Sequence, residues 1–259
     1  MKFDYGGQSV DITMEWQGEI VDRVMISVSG GLDSAALLYL MCKHFPEVKK
    51  HVYTGKDPVC PFDAEAAIDV VQWCKDNIDN HNVATHDVIV YDDRDPKVHA
   101  LMQERVNANP KIYDQYPWED KETEAESRFM FLQRIAKPWL IEQHRKELRE
   151  KYGTRFTMAA MTQNPPIEDM KRLGFLHRAE TKRNPGRDDV PIRGHISYHP
   201  FARVNKKFVA SVFEEEGLMD EYYHLTGSCT GVGQQTEWFS KPCEDCFWCY
   251  EKHWAFGRY

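Results

Sequence analysis

Hydrophobic and polar positions along this chain of 259 residues follow two rhythms. Short apolar runs recur at 21–28, 51–54, 86–91 and 155–161, with the composition and length of buried strands. Between them the apolar positions repeat at helical spacing. Ala35 to Met41 opens a helix that should run to about Lys43. Ala64 to Asn77 carries a 3.6-residue pattern through Ala67, Val70, Val71 and Cys74, with Asp63 as the expected N-cap. From Ala125 to about Lys151 the pattern predicts one long helix, or two meeting at Pro138, with Phe129, Leu132, Ala136, Leu140 and Ile141 on the apolar side. A further helix spans Asn205 to Glu216, with Gly217 as its stop, and a last one follows Cys249. Strands alternating with helices predict an α/β fold with an open parallel sheet and flanking helices. Ahead of this series, Ser9 to Met14 reads as an edge hairpin or a lead-in arm.

Three stretches break the alternation. Residues 92–120 are rich in Asp, Pro and Asn, with a short helix expected over 97–106. The acidic run 119–126 (EDKETEAE) reads as the solvated entrance of a helix rather than a metal site. Residues 163–200 hold five prolines, three glycines and many charges directly after a predicted strand. A long irregular segment at that place, where open α/β sheets bind ligands, is expected to contact substrate. His177, His195 and His199 lie in it. The chain therefore divides into a main domain, 1–200, carrying the loop 163–200, and a helical C-terminal region, 201–259, packed on it.

Composition narrows the classes. A hydrophobic content of 42% with 12% aromatics supports a sizeable core. The net charge of -8, with the basic residues spread along the chain, argues against duplex nucleic acid as the main partner. No apolar run approaches a membrane span, and Met1-Lys2-Phe3-Asp4-Tyr5 does not begin a signal peptide. A cytosolic chain with reduced thiols is expected, and an odd cysteine count of seven agrees with that.

Two stretches carry candidate chemistry. The first is Ser29-Gly30-Gly31-Leu32-Asp33-Ser34, between the strand ending at Val28 and the helix beginning near Ala35. Two glycines let backbone N–H groups approach an anion, the serines add hydroxyl donors, and the helix dipole favours negative charge. Asp33 stands where a helix cap belongs. The loop lacks the lysine of the Gly-Lys-Ser/Thr nucleotide loop. The plainer alternative is a glycine turn that merely joins strand to helix.

The second stretch holds four of the seven cysteines in the last 31 residues: Cys229, then Cys243, Cys246 and Cys249. Two overlapping C-x-x-C pairs and one distant thiol supply four soft ligands, which suits a structural, tetrahedral Zn²⁺. A three-cysteine Fe–S arrangement and a redox-active C-x-x-C are the rivals, and neither explains Cys229 as neatly. Buried thiols without metal are the remaining alternative.

Ser-Gly-Gly-x-Asp-Ser after a strand resembles the PP-loop of the N-type ATP pyrophosphatases. That resemblance implies an adenine nucleotide alpha hydrolase-like, Rossmann-like fold, a loop that grips the β- and γ-phosphates, and cleavage of ATP between its α- and β-phosphates. The tail is similar to that of the 7-cyano-7-deazaguanine synthases: Pro200-Phe201, Lys206-Lys207-Phe208-Val209-Ala210, Thr226-Gly227-Ser228-Cys229, Pro242-Cys243-Glu244-Asp245-Cys246-Phe247-Trp248-Cys249 and Ala255-Phe256. The middle departs from that family. Tyr53-Thr54-Gly55-Lys56 replaces a Tyr-Gly-Gln stretch, Arg128-Phe129 replaces an Arg-Asn pair, and Asn164 to Asp169 keeps an acidic pair without the aromatic-proline signature.

The resemblance implies adenylation of 7-carboxy-7-deazaguanine and its conversion with ammonia to the nitrile, with Mg²⁺ beside ATP and Zn²⁺ in the tail. Val28, Ser29, Gly30, Gly31, Leu32, Asp33 and Ser34 would hold the nucleotide, with Ser29, Asp33, Ser34 and Lys206 closest to the chemistry. Lys206, Lys207 or Arg128 would add positive charge. Glu168 and Asp169 would either read a guanine-like N–H edge or cap a turn. The implied partners are small molecules, with a homodimer as the oligomeric expectation and no membrane. Two other acceptor classes stay open: sulfur transfer or sulfate-nucleotide chemistry, with Cys60 as the nucleophile, and a nucleotide-binding component of a defence or signalling assembly.

Overall fold

A computed structural model describes residues 1–16, 18–56, 62–90, 141–175, 196–229 and 241–259, with positions 96, 100 and 104. They fall into two compact units. The first comprises Met1–Thr54, Pro61–Val88 and Thr154–Tyr259, and the second Gly55–Cys60 and Ile89–Gly153. In the second, residues 141–152 are helical, and Glu142 pairs with Arg145 at 3.1 Å and Arg149 at 2.9 Å. No described helix is long and apolar enough to cross a membrane. The short helix expected over 97–106, the acidic run, most of the long helix, Arg128, Cys60, His177 and His195 lie outside the described residues.

The first unit opens with a hairpin, β1 (Lys2–Tyr5) against β2 (Gln8–Asp11), and a smaller one, β3 (Glu15–Trp16) against β4 (Glu19–Ile20). Of the two alternatives for the N-terminal segment, the hairpin holds, and it begins earlier than Ser9. Gly6 makes its turn at φ +55°, where an added Cβ would stand 2.3 Å from Ser211 Oγ. Only glycine suits both the backbone and the space. The hairpin is tied to the later chain by amides: Gln8 Nε2–H donates to Asn205 Oδ1 at 3.0 Å, and the Asn205 N–H donates to Gln8 Oε1 at 2.9 Å.

The main sheet has five strands in the order β7-β6-β5-β8-β9. They are β5 (Arg23–Ser27), β6 (Lys49–Lys56), β7 (Val83–Val90), β8 (Phe156–Ala159) and β9 (Ile196–Tyr198). β5 runs parallel to both β6 and β8, and β9 runs parallel to β8. The chain builds outward from β5 through β6 to β7, then returns to the other side of β5 with β8 and β9. That reversal opens a crevice at the carboxyl ends of β5 and β8, the usual ligand position in such sheets.

The helices follow from composition. α1 (Leu32–His44) is apolar on nearly every side, and ten of its 13 residues are buried. A helix with no polar face belongs in the core. α2 (Phe62–Asn77) starts before the expected Asp63 cap, so Asp63 falls within its first turn. α3 (Ile167–Arg172) and β9 lie inside 163–200, a segment that reads as irregular. The prolines there hide a six-residue helix, because Pro166 sits at its N-cap, where no N–H is needed. α4 (Lys206–Glu215) is capped by the Asn205 side chain, which accepts from the Lys207 N–H at 3.0 Å. α5 (Phe247–Phe256) begins two residues before Cys249, with Cys246 as its N-cap. Phe256 closes it onto Phe213 and Tyr223 at ring distances of 5.7 and 5.3 Å.

Candidate nucleotide site and thiol centre

The loop 29–34 occupies the crevice. Gly30 takes φ +78°, a left-handed conformation that lets the chain turn from β5 into α1. The N-cap of α1 is Gly31, without a side-chain cap bond, so Asp33 is not the cap. It lies in the first helical turn, and its carboxylate faces the crevice. The serines close the loop on itself. The Ser29 N–H donates to Ser34 Oγ at 3.2 Å, the Ser34 hydroxyl donates to the Gly31 carbonyl at 2.9 Å, and the Gly31 N–H reaches Ser29 Oγ at 3.4 Å.

Behind the loop, β5 is braced by a chain of polar contacts. The Thr54 hydroxyl donates to the Val28 carbonyl at 2.8 Å and lies 2.9 Å from His86 Nε2. Thr54 has one proton, given to Val28, so His86 must donate through Nε2–H. Burial pushes the His86 pKa down to about 4, which keeps this ring neutral near pH 7.

A cavity of about 350 Å³ opens over the loop. Its floor is the loop itself, and its described walls are Ala160 and Met161 after β8, Lys206, Gly227 to Cys229, and Trp248. The volume lies in the range of small-ligand pockets. Lys206 is the one described lining residue with a cationic side chain, and it is held on two sides. Its Nζ lies 2.6 Å from Asp33 Oδ1 and 3.6 Å from Glu251 Oε2. The side chains of Lys206, Asp33 and Glu251 are 8%, 13% and 1% exposed. Thr162 adds its hydroxyl to Asp33 Oδ2 at 3.0 Å. Two carboxylates from different helices thus engage the one ammonium at the cavity wall.

The four tail cysteines converge. Their sulfurs all lie within 4.8 Å of one another, with Cys243 and Cys249 at 3.9 Å. The Cys243 N–H points at Cys229 Sγ and the Cys246 N–H at Cys243 Sγ, each at 3.3 Å. Glu244 makes the turn between Cys243 and Cys246 at φ +58°. Burial pushes the Cys249 thiol pKa up, which favours the neutral thiol unless a cation draws off its proton. Four soft donors at this spacing, with N–H groups aimed at sulfur, fit one tetrahedral ion, whose thiolates would stand roughly 3.8 Å apart. A multi-iron cluster places several atoms between its thiolates and needs them farther apart.

Loop and thiols meet in space. The Gly227 N–H donates to the Gly30 carbonyl at 2.9 Å, two residues before Cys229. Cys229 and Trp248 wall the cavity that the loop floors. Glu168 and Asp169 stand on α3 instead, paired with Lys171 at 3.0 Å and Arg172 at 2.8 Å and absent from the described lining. His199 contacts Ser197 at 3.0 Å. Sequence reasoning passed over Thr162 and Glu251, and named Gly227, Ser228 and Trp248 only as bearers of the resemblance, with no place in the site. For Glu251 a signal existed: an acid four residues after Phe247 shares a helix face with a buried aromatic.

No family model matches the chain, and no curated protein matches it. Among solved structures it is similar to the U34-tRNA thiolase NcsA from Methanococcus maripaludis with its 4Fe-4S cluster, at 10% identity and a TM-score of 0.44. That likeness covers 84% of this chain and 64% of the thiolase, so the chain spans less than two thirds of that protein's length. It is also similar to NMN synthetase from Francisella tularensis, at 14% identity and a TM-score of 0.38, over 92% of this chain and 79% of that one.

Proposed function

We propose that this chain is an ATP-dependent adenylating enzyme of the PP-loop type, and that its acceptor is 7-carboxy-7-deazaguanine, converted with ammonia to the nitrile. One observation carries the reading. The two stretches that bear the family resemblance, 29–34 and the four-cysteine tail, are joined by the Gly227–Gly30 hydrogen bond over a single cavity of about 350 Å³.

The chemistry asks little covalent work of the protein. A carboxylate is a poor electrophile because its leaving group would be oxide. Attack of its oxygen on the α-phosphorus of ATP releases pyrophosphate and gives an acyl adenylate, from which ammonia displaces AMP. The amide oxygen then attacks the α-phosphorus of a second ATP, releasing pyrophosphate, and loss of AMP and both N–H protons leaves the nitrile. Ser29, Gly30, Gly31 and Ser34 bind the pyrophosphate portion at the α1 N-terminus. Their hydroxyls exchange the contacts within the loop for phosphate oxygens. Lys206 supplies positive charge, and Asp33 orients it. Asp33 would also be placed to hold Mg²⁺, which would supply positive charge to the transferring adenylyl group. Cys229, Cys243, Cys246 and Cys249 would hold Zn²⁺, which supplies a cross-link between the tail and the cavity wall.

The test is incubation of the zinc-loaded chain with ATP, Mg²⁺, ammonia and 7-carboxy-7-deazaguanine, followed by mass spectrometry. Amide and nitrile with AMP and pyrophosphate are expected. AMP and pyrophosphate without a modified deazapurine would keep the adenylating class and reject this acceptor. ADP as the nucleotide product would reject the class. Metal analysis should return one zinc per chain, and stoichiometric iron would reject the zinc assignment.

A further inference from the structure

We infer that Glu251 is a positioning residue that couples the thiol centre to the anion pocket through Lys206; the inference rests on the phosphate reading of loop 29–34. α5 contributes to three places at once. Cys246 caps it and Cys249 sits in its first turn, Trp248 walls the cavity, and Glu251 lies 3.6 Å from Lys206 Nζ. Lys206 belongs to α4 and reaches from there to Asp33 in the first turn of α1. A rigid line thus runs from two metal-ligand positions, along two residues of helix, through a buried ion pair, to the helix that presents the loop. The Gly227–Gly30 bond makes a second link from Cys229 to the same loop.

Burial gives this line its force. Glu251 is 1% exposed, so an ionised carboxylate there demands a partner, and Lys206 is within ion-pair reach. Asp33 holds the Lys206 ammonium from α1, and Glu251 draws on the same ammonium from α5, so the two together set where its charge stands at the cavity wall. If the thiol centre shifts, α5 shifts with Cys246 and Cys249, and Glu251 moves relative to Lys206.

Electrostatics alone predicts the opposite effect of removing Glu251. Deleting a negative charge beside an anion pocket should tighten anion binding. A positioning role predicts weaker binding. The sign separates the two.

The experiment titrates pyrophosphate with Mg²⁺ calorimetrically into the full chain, zinc-loaded and chelator-stripped, and measures zinc affinity by chelator competition with and without pyrophosphate. Zinc is expected to strengthen pyrophosphate binding about tenfold, and pyrophosphate to strengthen zinc binding by the same factor, as linkage requires. Glu251→Gln, with full zinc content and an unchanged thermal midpoint, should bind pyrophosphate more weakly and lose most of the coupling. Tighter or unchanged binding in that variant overturns the proposal. If the variant sheds its zinc, the wild-type factor decides, and a factor near one overturns it. Pyrophosphate binding without coupling defeats this inference alone, whereas no pyrophosphate binding in any state defeats the phosphate reading and this inference with it.

Discussion

The anion loop and the thiol centre lie side by side but are built on different principles. The loop is local. Six consecutive residues between a buried strand and a core helix make its turn, its hydroxyl contacts and its helix N-terminus. The serine contacts that close it lie within 29–34, while Gly227, Thr162 and Lys206 brace it from outside. The thiol centre draws on residues from 229 to 249, with Cys246 and Cys249 at the start of α5 and Cys229 brought in from 14 residues before Cys243. A local site is shaped by backbone preference and survives the loss of one contact. A site assembled from distant donors depends on the ion that gathers them. The largest perturbations should therefore come from the tail.

Cys246→Ser removes one of the four sulfur donors while leaving a residue suited to the N-cap of α5, where Cys246 makes no side-chain cap bond. It should lower metal affinity by more than the roughly 100-fold typical of losing an outer partner. Metal analysis after dialysis should find the variant empty, and a variant that keeps stoichiometric metal would contradict the four-thiolate site. Next in size is Lys206→Met, which removes the ammonium that Asp33 and the buried Glu251 share. Breaking such a pair costs about 3–5 kcal/mol, readable by urea denaturation. Retained stability would mean that the two carboxylates do not depend on Lys206.

The loop's support gives a pH signature. His86 stays neutral in the folded chain down to about pH 4, while an unfolded histidine takes up its proton near 6.5. Between those values the unfolded state binds more protons, so stability falls as pH drops from 6.5 to 4, by on the order of 2 kcal/mol. His86→Gln, whose amide nitrogen reaches about as far as Nε2, keeps a donor for Thr54 and should lose that slope; an unchanged slope would assign it elsewhere. The smallest effect belongs to the loop itself. Gly30→Ala places a side chain at φ +78° and should cost about 1–2 kcal/mol while leaving the metal content intact. If it empties the thiol centre as well, the two sites are less separate than their construction suggests.

Much of the fold is legible in the chain. The runs ending at Val28 and centred on Tyr53, Val88 and Met158 are strands, and the α/β alternation holds. What failed were ends and caps. Asp33 and Asp63 look like caps because aspartate often is one, but each lies a residue or two inside a helix. In α1 the core requires Leu32 to be buried, which starts the helix at Gly31 and turns Asp33 toward the crevice. β9 escapes a local reading because three residues, Ile196 to Tyr198, become a strand only through pairing with β8. Cys229 and its three partners were legible as a set because thiols at that spacing have few other uses.

The residues around Lys206 were not legible in the same way. Sequence by itself determined the strand–loop–helix of 29–34 and the four thiols, because both are chemical patterns written in neighbouring or repeating positions. Tertiary structure alone decided that Thr162 and Lys206 meet on Asp33, that Glu251 reaches Lys206, and that Gly227 ties the tail to Gly30. These contacts span up to 197 positions of chain, from Gly30 to Gly227. Helical periodicity can say that Glu251 faces inward, but the packing of α5 on α4 is what brings the Lys206 ammonium within 3.6 Å of its carboxylate.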